Sequence, residues 1–207
     1  MSYNKIILIG HSGHGLVLAD VAIENKLELA GYADKKSIIN NPYKLNFLGN
    51  ETDNNFIGWN LNLDFLIGIG DNYKREEIFK LIGSRGKKTK TLISNSAIIS
   101  NSANIGEGTF INKNVVVNTF SKIGKNVILN TSCIVEHECF ISDSVHIAPG
   151  AVLLGNVHIG DRSFIGANSV VKQGVKIGHD VIIGAGSVII NDVPDGFKIV
   201  GNPGRVI

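Results

Sequence analysis

Charge is scarce in this chain. Only 18% of its 207 residues are Asp, Glu, Lys or Arg, and they leave a net charge of +2. Both signs are spread along the sequence, so no basic stripe argues for a nucleic acid partner. Long apolar runs are missing too. No stretch reaches the ~18 residues of a membrane span, and the early run Ile6 to Ile9 has only a strand's length, with no signal-peptide layout around it. The expectation is a cytoplasmic protein with no membrane insertion. Proline occurs four times against 24 glycines, and with 43% hydrophobic residues the composition fits a mostly β chain, one domain of good size plus a smaller one.

What the sequence has is a register. From Ile93 to Ile189, in steps of six, all 17 positions are Ile, Leu or Val. Four residues after each stands something small or β-branched, from Ala97 through Val145 to Val193, and Gly often follows the aliphatic residue directly, as at Gly106, Gly124, Gly160 and Gly178. Six residues advance an α-helix by ~600°, which would scatter these positions round its circumference. Hexapeptide repeats build parallel β-helices instead, each unit burying its apolar face only when neighbours stack on it. The pattern looks like the left-handed class, with three hexads to a triangular coil, five to six coils and, at ~4.8 Å per stacked strand, a prism roughly 25 Å tall. The two cysteines, Cys133 and Cys139, occupy the small inward position of successive hexads. They read as reduced, buried space-fillers rather than a disulfide or a reactive thiol.

The front of the chain follows another rule. Lys5 to Gly10 reads as a buried strand running into His11-Ser12-Gly13-His14-Gly15, followed by a helical pattern through Leu16, Val17, Leu18, Val21 and Ala22. Leu27 to Ala33 forms a second strand ending at Asp34. Leu63 to Ile69 forms a third, ending at Gly70-Asp71-Asn72 before a helix over 74–82. Strand, Gly-rich turn, helix, and strand with an acid at its end is the opening of a Rossmann-like nucleotide-binding unit, whose first helix presents its N-terminal amides to a ligand. The glycine spacing differs from the G-x-G-x-x-G dinucleotide fingerprint. His14, between two glycines, is poorly placed for a core and well placed to hydrogen-bond a phosphate, while Asp34 stands where an acid meets a ribose or base. The polar stretch 35–62 wraps this small sheet. The expected class is therefore an α/β Rossmann-like N-terminal domain (1–90) followed by an all-β left-handed parallel β-helix (91–194), with a tail (195–207) folding back over the last coil.

The chemistry falls where the repeat permits variation. His137 is third in its hexad, an outward position, with Glu136 and Glu138 beside it, and one 18-residue coil further on stands Gly155. A general base needs an acceptor nitrogen near pH 7, a neighbouring carboxylate orients such a ring, and an exposed amide beside it polarises a thioester carbonyl.

The run Asn130-Thr131-Ser132-Cys133-Ile134-Val135-Glu136-His137-Glu138-Cys139, followed by His146 and Gly155-Asn156, resembles the left-handed β-helix acyltransferases that modify bacterial sugars. The branch is that of the bacillosamine-pathway N-acetyltransferases and sialic acid O-acetyltransferase-like proteins, and the Ser12-Gly13-His14-Gly15 turn is its second hallmark. The resemblance implies transfer of acetyl from acetyl-coenzyme A to the 4-amino group of a nucleotide-linked amino sugar; with no Ser or Cys in a nucleophile setting and both cysteines inward, the expected mechanism is direct transfer without an acyl-enzyme, and no metal is expected. His137 matches the general base and Glu138 its supporting carboxylate. His146 and the Gly155 amide match groups near the thioester, and Ala167 and Ala185 match backbone contacts to coenzyme A. Ser12, Gly13, His14, Asp34, Lys35 and Gly70 fall where the nucleotide sugar is held, with Lys35 replacing an acid often seen there. It also implies a homotrimer, with ligands in clefts between prisms. The base on the sugar stays open among UDP, dTDP and GDP. Three other readings stand beside this one: an O-acetyltransferase acting on sialic acid or another sugar hydroxyl, a zinc enzyme, for which His137, His146, His158 and His179 are poorly arranged, and a non-catalytic scaffold.

Overall fold

A computed structural model describes residues 5–207. The chain divides into two compact units, Met1–Leu92 and Ile93–Ile207.

The first unit is built on β1 (Lys5–Ile9), α1 (Gly13–Glu24), β2 (Glu28–Ala33), β3 (Asp64–Ile67) and α2 (Asn72–Ser84), with the strands in a parallel sheet of order β2-β1-β3. Ile7, Ile9, Ala33, Phe65, Ile67, Ile78 and Ile82 form its apolar core. Because β1 is central and covered on both faces, its run of four apolar residues is continuous rather than alternating. The helices begin earlier than the apolar periodicity indicates, at Gly13 and Asn72, because capping and tight turns rather than side-chain pattern set their starts. Asp71 caps α2 by accepting from the Lys74 N–H at 2.9 Å. The polar connection lies along the outer edge of β2. Phe47 bridges Tyr32 in parallel, and the Asp34 N–H donates to Gly49 O, which brings Glu51 to the end of β2.

The second unit realises the hexad register strand for strand. Seventeen two-residue strands, β4 (Leu92–Ile93) through β20 (Val188–Ile189), recur every six residues, each ending on its aliphatic member. Strands 18 residues apart pair in parallel, as Val135 with Leu153 and Leu153 with Val171, which gives three sheets and about six turns. Both inward positions fill one core, in which Cys133 and Cys139 pack beside Val127, Val145 and Val157. Both cysteines are free, and burial pushes their thiols up to about 12 and about 11. They are inert fillers. Corners are made by a residue in the left-handed region at a fixed place in the hexad: Asn114, Asn126, Ser132, Asn156, Asn168 and Asp180 are the ordinary occupants, Phe120, Glu138 and Arg162 the unusual ones.

The three faces differ outwardly. The first carries Phe110, Ile128, His146, Phe164 and Ile182, the second Ile98, Val116, Ile134, Val152, Val170 and Val188, and the third Asn104, Lys122, Phe140, His158 and Lys176. Beyond β20 the segment 193–206 lies on the last coil. Val193 bridges Ile177, β21 (Lys198–Val200) pairs in parallel with the strand Ile182–Ile183, Gly201 and Gly204 bond Val188, and β22 (Arg205–Val206) turns back antiparallel on β21.

Candidate active site

His137 stands at the corner where the second face gives way to the third. Its backbone is fastened on both sides: the Glu136 N–H donates to Leu153 O, the Asn156 N–H donates to His137 O and the Glu138 N–H donates to Thr119 O. The side chain is half exposed, and Nδ1 lies 3.0 Å from Glu138 Oε2. An ionised carboxylate only accepts, so in the neutral ring the contact selects the tautomer with the proton on Nδ1 and the lone pair on Nε2. A pair this exposed adds little stability; its effect is on tautomer and ring orientation. Gly155 stacks on the histidine as the coil spacing requires. The ring itself fills the space, since a Cβ at Gly155 would overlap Cε1 and Nε2. Among the described residues, the Gly155 N–H has no hydrogen-bond acceptor.

Glu138 holds φ +60, and one coil before it Phe120 holds φ +59 with 65% of its surface exposed. A large aromatic in a left-handed corner where most coils use Asn, Ser, Asp or Gly is costly for the fold alone. The resemblance assigns Phe120 no role, although an aromatic at this place in the hexad departs from the Asn, Ser, Asp and Gly of most other corners.

The remaining prism residues gather elsewhere. His146 lies on the first face, buried, edge-on to Phe164 at 5.1 Å between ring centroids, with Nε2 3.2 Å from Asn130 Nδ2. Asn130 Oδ1 accepts from the Thr131 N–H and from Asn112 Nδ2, which fixes the amide so that Nδ2 donates to the imidazole. Asn130 was in the sequence motif but without a role; its contact supplies one. Ala167 and Ala185 occupy the turns from the first face to the second, stacked through a Gly186 N–H to Ala167 O bond. Within one prism, then, His137, Glu138 and Gly155 form one group, and His146, Ala167 and Ala185 belong to another edge.

In the first unit, Ser12, His14, Asp34, Lys35 and Gly70 line one cleft of about 350 Å³, together with Glu51, Asp71 and Lys74. Gly13 adjoins it at the start of α1. Asp34 is held at the end of β2, accepting from the His11 N–H at 3.1 Å and the Lys35 N–H at 2.7 Å. His14 is more enclosed than its glycine neighbours suggest. Burial, helped by the Arg75 charge, lowers its pKa to about 4, so it meets a ligand as a neutral ring. Two glycines have no conformational reason to be glycine: a Cβ at Gly13 or Gly70 would meet nothing within 4 Å. Gly15 is the opposite case, since its Cβ would run into Gly10 O. Glycine bordering an open cleft serves close approach of a ligand to the backbone. Gly70→Ala is therefore expected to leave the thermal midpoint unchanged while weakening ~10-fold, about 1.4 kcal/mol, the binding of any ligand seated against this loop, as read by calorimetry.

The chain matches the PglD N-terminal domain over residues 5–82 and the hexapeptide repeat of succinyl-transferase over residues 156–190. It is similar to the acetyltransferase domain of PglB from Neisseria gonorrhoeae, solved with acetyl coenzyme A, at 32% identity over 100% of both chains and a TM-score of 0.91. PerB from Caulobacter crescentus, in complex with CoA and GDP-perosamine, matches at 28% identity over 98% of this chain and 97% of its own, with a TM-score of 0.91. WeeI from Acinetobacter baumannii matches at 28% identity over 98% and 99%, with a TM-score of 0.87. With a relative at 32% identity aligned along the whole chain and a family model matching each unit, the chain belongs to the left-handed β-helix, hexapeptide-repeat family of acetyl-CoA-dependent sugar acetyltransferases.

Proposed function

We propose that this protein transfers the acetyl group of acetyl-coenzyme A to the 4-amino group of a nucleotide-linked amino sugar, with His137 as general base. The observation that carries the reading is the His137 imidazole, anchored through Nδ1 to Glu138 and laid on Gly155 with its Nε2 lone pair free. Nε2 takes the proton from the amine as the amine's nitrogen bonds to the thioester carbonyl carbon. The Gly155 N–H steadies the oxyanion, and the C–S bond then breaks to release coenzyme A. No nucleophilic side chain is needed, which agrees with both cysteines being held as buried thiols. His146, kept in one orientation by Asn130, and the Ala167 and Ala185 turns contact the donor.

The first unit is read as Rossmann-like, binding the nucleotide sugar through Ser12, Gly13, His14, Asp34, Lys35 and Gly70. A parallel sheet with two helix N-termini at one cleft is the usual setting for such a ligand. The similarity to PerB, solved with a GDP-linked amino sugar, supports this class of acceptor.

A homotrimer completes the site. The His137 group and the His146 group lie on separate edges of one prism, and the second face, which borders His137, is an unbroken ladder of six partly exposed Ile and Val side chains. A second copy on that ladder buries it and supplies the other edge. Val152→Lys is expected to reduce the solution mass from three times the 22.2 kDa chain mass to a single chain, as measured by light scattering, with loss of activity.

The deciding experiment incubates the protein with acetyl-coenzyme A and UDP-, dTDP- and GDP-linked 4-amino-4,6-dideoxy sugars. Release of coenzyme A with an alkali-stable acetyl product is expected. An alkali-labile product identifies O-acetylation, and no turnover with any amine refutes the proposal.

A further inference from the structure

The cleft of the first unit has a residue behind it that neither the repeat nor the resemblance marks. Arg75, on the first turn of α2, is 1% exposed. Its Nη1 donates to Gly70 O at 3.1 Å and is 3.4 Å from Ile69 O, and its Nη2 donates to Asn72 Oδ1 at 2.9 Å. Ile69, Gly70 and Asp71 line the cleft and Arg75 does not, so the guanidinium lies on the far side of the loop from the ligand space. In a trans peptide the C=O and the following N–H point in opposite directions. Two consecutive carbonyls drawn toward Arg75 therefore turn the N–H groups of Gly70 and Asp71 the other way, toward the cleft.

Those donors are available. Among the described residues, the N–H groups of Gly70 and Asp71 have no acceptor, and neither have those of Ser12 and Gly13 at the start of α1. The loops carrying the two pairs touch, since a Cβ at Gly68 would meet the Gly15 Cα and Gly10 O. At the cleft's other end the charge is reversed. Glu51 is 7% exposed, its Oε2 is without a hydrogen-bond partner, and its carboxyl pKa is raised by burial and by nearby Asp34. A buried acceptor of this kind calls for a donor from outside the protein. One end is thus fitted for hydroxyl or ring N–H donors and the other for an anion, the polarity of a nucleoside diphosphate.

We propose that Arg75 is a positioning residue for the acceptor's diphosphate: by holding the Ile69 and Gly70 carbonyls on its own side of the loop, it presents the Gly70 and Asp71 amides to the phosphate oxygens. The inference rests on the nucleotide-sugar reading given above. Burial of the guanidinium lowers its pKa to about 9, which leaves it charged at neutral pH, so it also adds positive potential behind the loop. A lysine there keeps a charge but lacks the planar fork that spans two carbonyls and an amide.

The test titrates the full-length protein calorimetrically with uridine, thymidine and guanosine diphosphates and with the three nucleosides, comparing wild type, Arg75→Lys and Arg75→Met. Wild type is expected to bind one diphosphate well above its nucleoside. Arg75→Met reduces that preference at least ~10-fold with the nucleoside's affinity unchanged, and Arg75→Lys falls between them. In steady-state assays the KM for the nucleotide amino sugar rises in parallel, while kcat at saturation and the KM for acetyl-coenzyme A stay within about two-fold. Should Arg75→Met fail to fold, Arg75→Lys decides, by the same selective loss of the diphosphate preference. A folded variant that keeps the wild-type preference overturns the role of Arg75 alone. Wild type binding none of the three diphosphates overturns the nucleotide-sugar reading, and the inference with it.

Discussion

A methyl group at position 155 is expected to cost nearly as much turnover as removing the imidazole of His137. Gly155 does not occupy the left-handed region, so alanine fits the backbone, yet its Cβ would take the volume now filled by Cε1 and Nε2 of the ring. The imidazole must then rotate away. His137 is fastened by its backbone to both neighbouring coils, so the ring has only its own torsions with which to escape, and either rotation breaks the 3.0 Å contact with Glu138. Losing a general base typically costs ~10²–10⁴-fold in rate. His137→Ala and Gly155→Ala are expected to fall in that range for kcat while the nucleotide binding proposed for the first unit stays as in wild type. Both leave the thermal midpoint within a few degrees, because the pair is exposed. Undiminished kcat in His137→Ala would remove the proposed base. Undiminished kcat in Gly155→Ala alone would show that the ring's seat on the glycine has no part in the reaction.

The largest effect on stability is expected inside the prism. Leu153 is fully buried between Val135 and Val171 of the adjoining coils, and the coils cannot close on a cavity without leaving their ladder of hydrogen bonds. Leu153→Ala should therefore cost about 2–5 kcal/mol. Lys122, which precedes an inward residue and points outward, should cost under about 0.5 kcal/mol when replaced by alanine. Urea unfolding followed by circular dichroism separates the two. Equal costs at both positions would contradict the inward and outward assignment.

The prism was legible almost residue by residue because its period is rigid. Every inward aliphatic position from Ile93 to Ile189 ends a strand, and the 18-residue offset alone brings Gly155 onto His137. The strands and helices of the first unit were legible to within a few residues, while the helix starts at Gly13 and Asn72 were set by turns that carry no apolar signal. Side chains placed by packing between distant segments were not legible. Arg75 sits in Asn-Tyr-Lys-Arg-Glu-Glu, which reads as a solvated helix face, and only the tertiary arrangement puts it beneath the Ile69 and Gly70 carbonyls. Glu51 lies in a polar connection whose path along β2 no local pattern announces. The lowered pKa of His14, set first by burial, also carries the charge of Arg75, which no local pattern places beside it.

The segment laid over the last coil has a meaning for assembly. A stack of parallel strands is a surface on which more strands can be added, and its final rung would offer three open edges to any extended chain nearby. Here each of the three is occupied: Ile177 by Val193, the strand Ile182–Ile183 by β21, and Val188 by Gly201 and Gly204, after which β22 runs in the opposite sense and interrupts the parallel order. The covering acts as a terminator that closes the stack to lengthwise growth into filaments, while the Ile and Val ladder on which the proposed trimer forms stays uncovered by it.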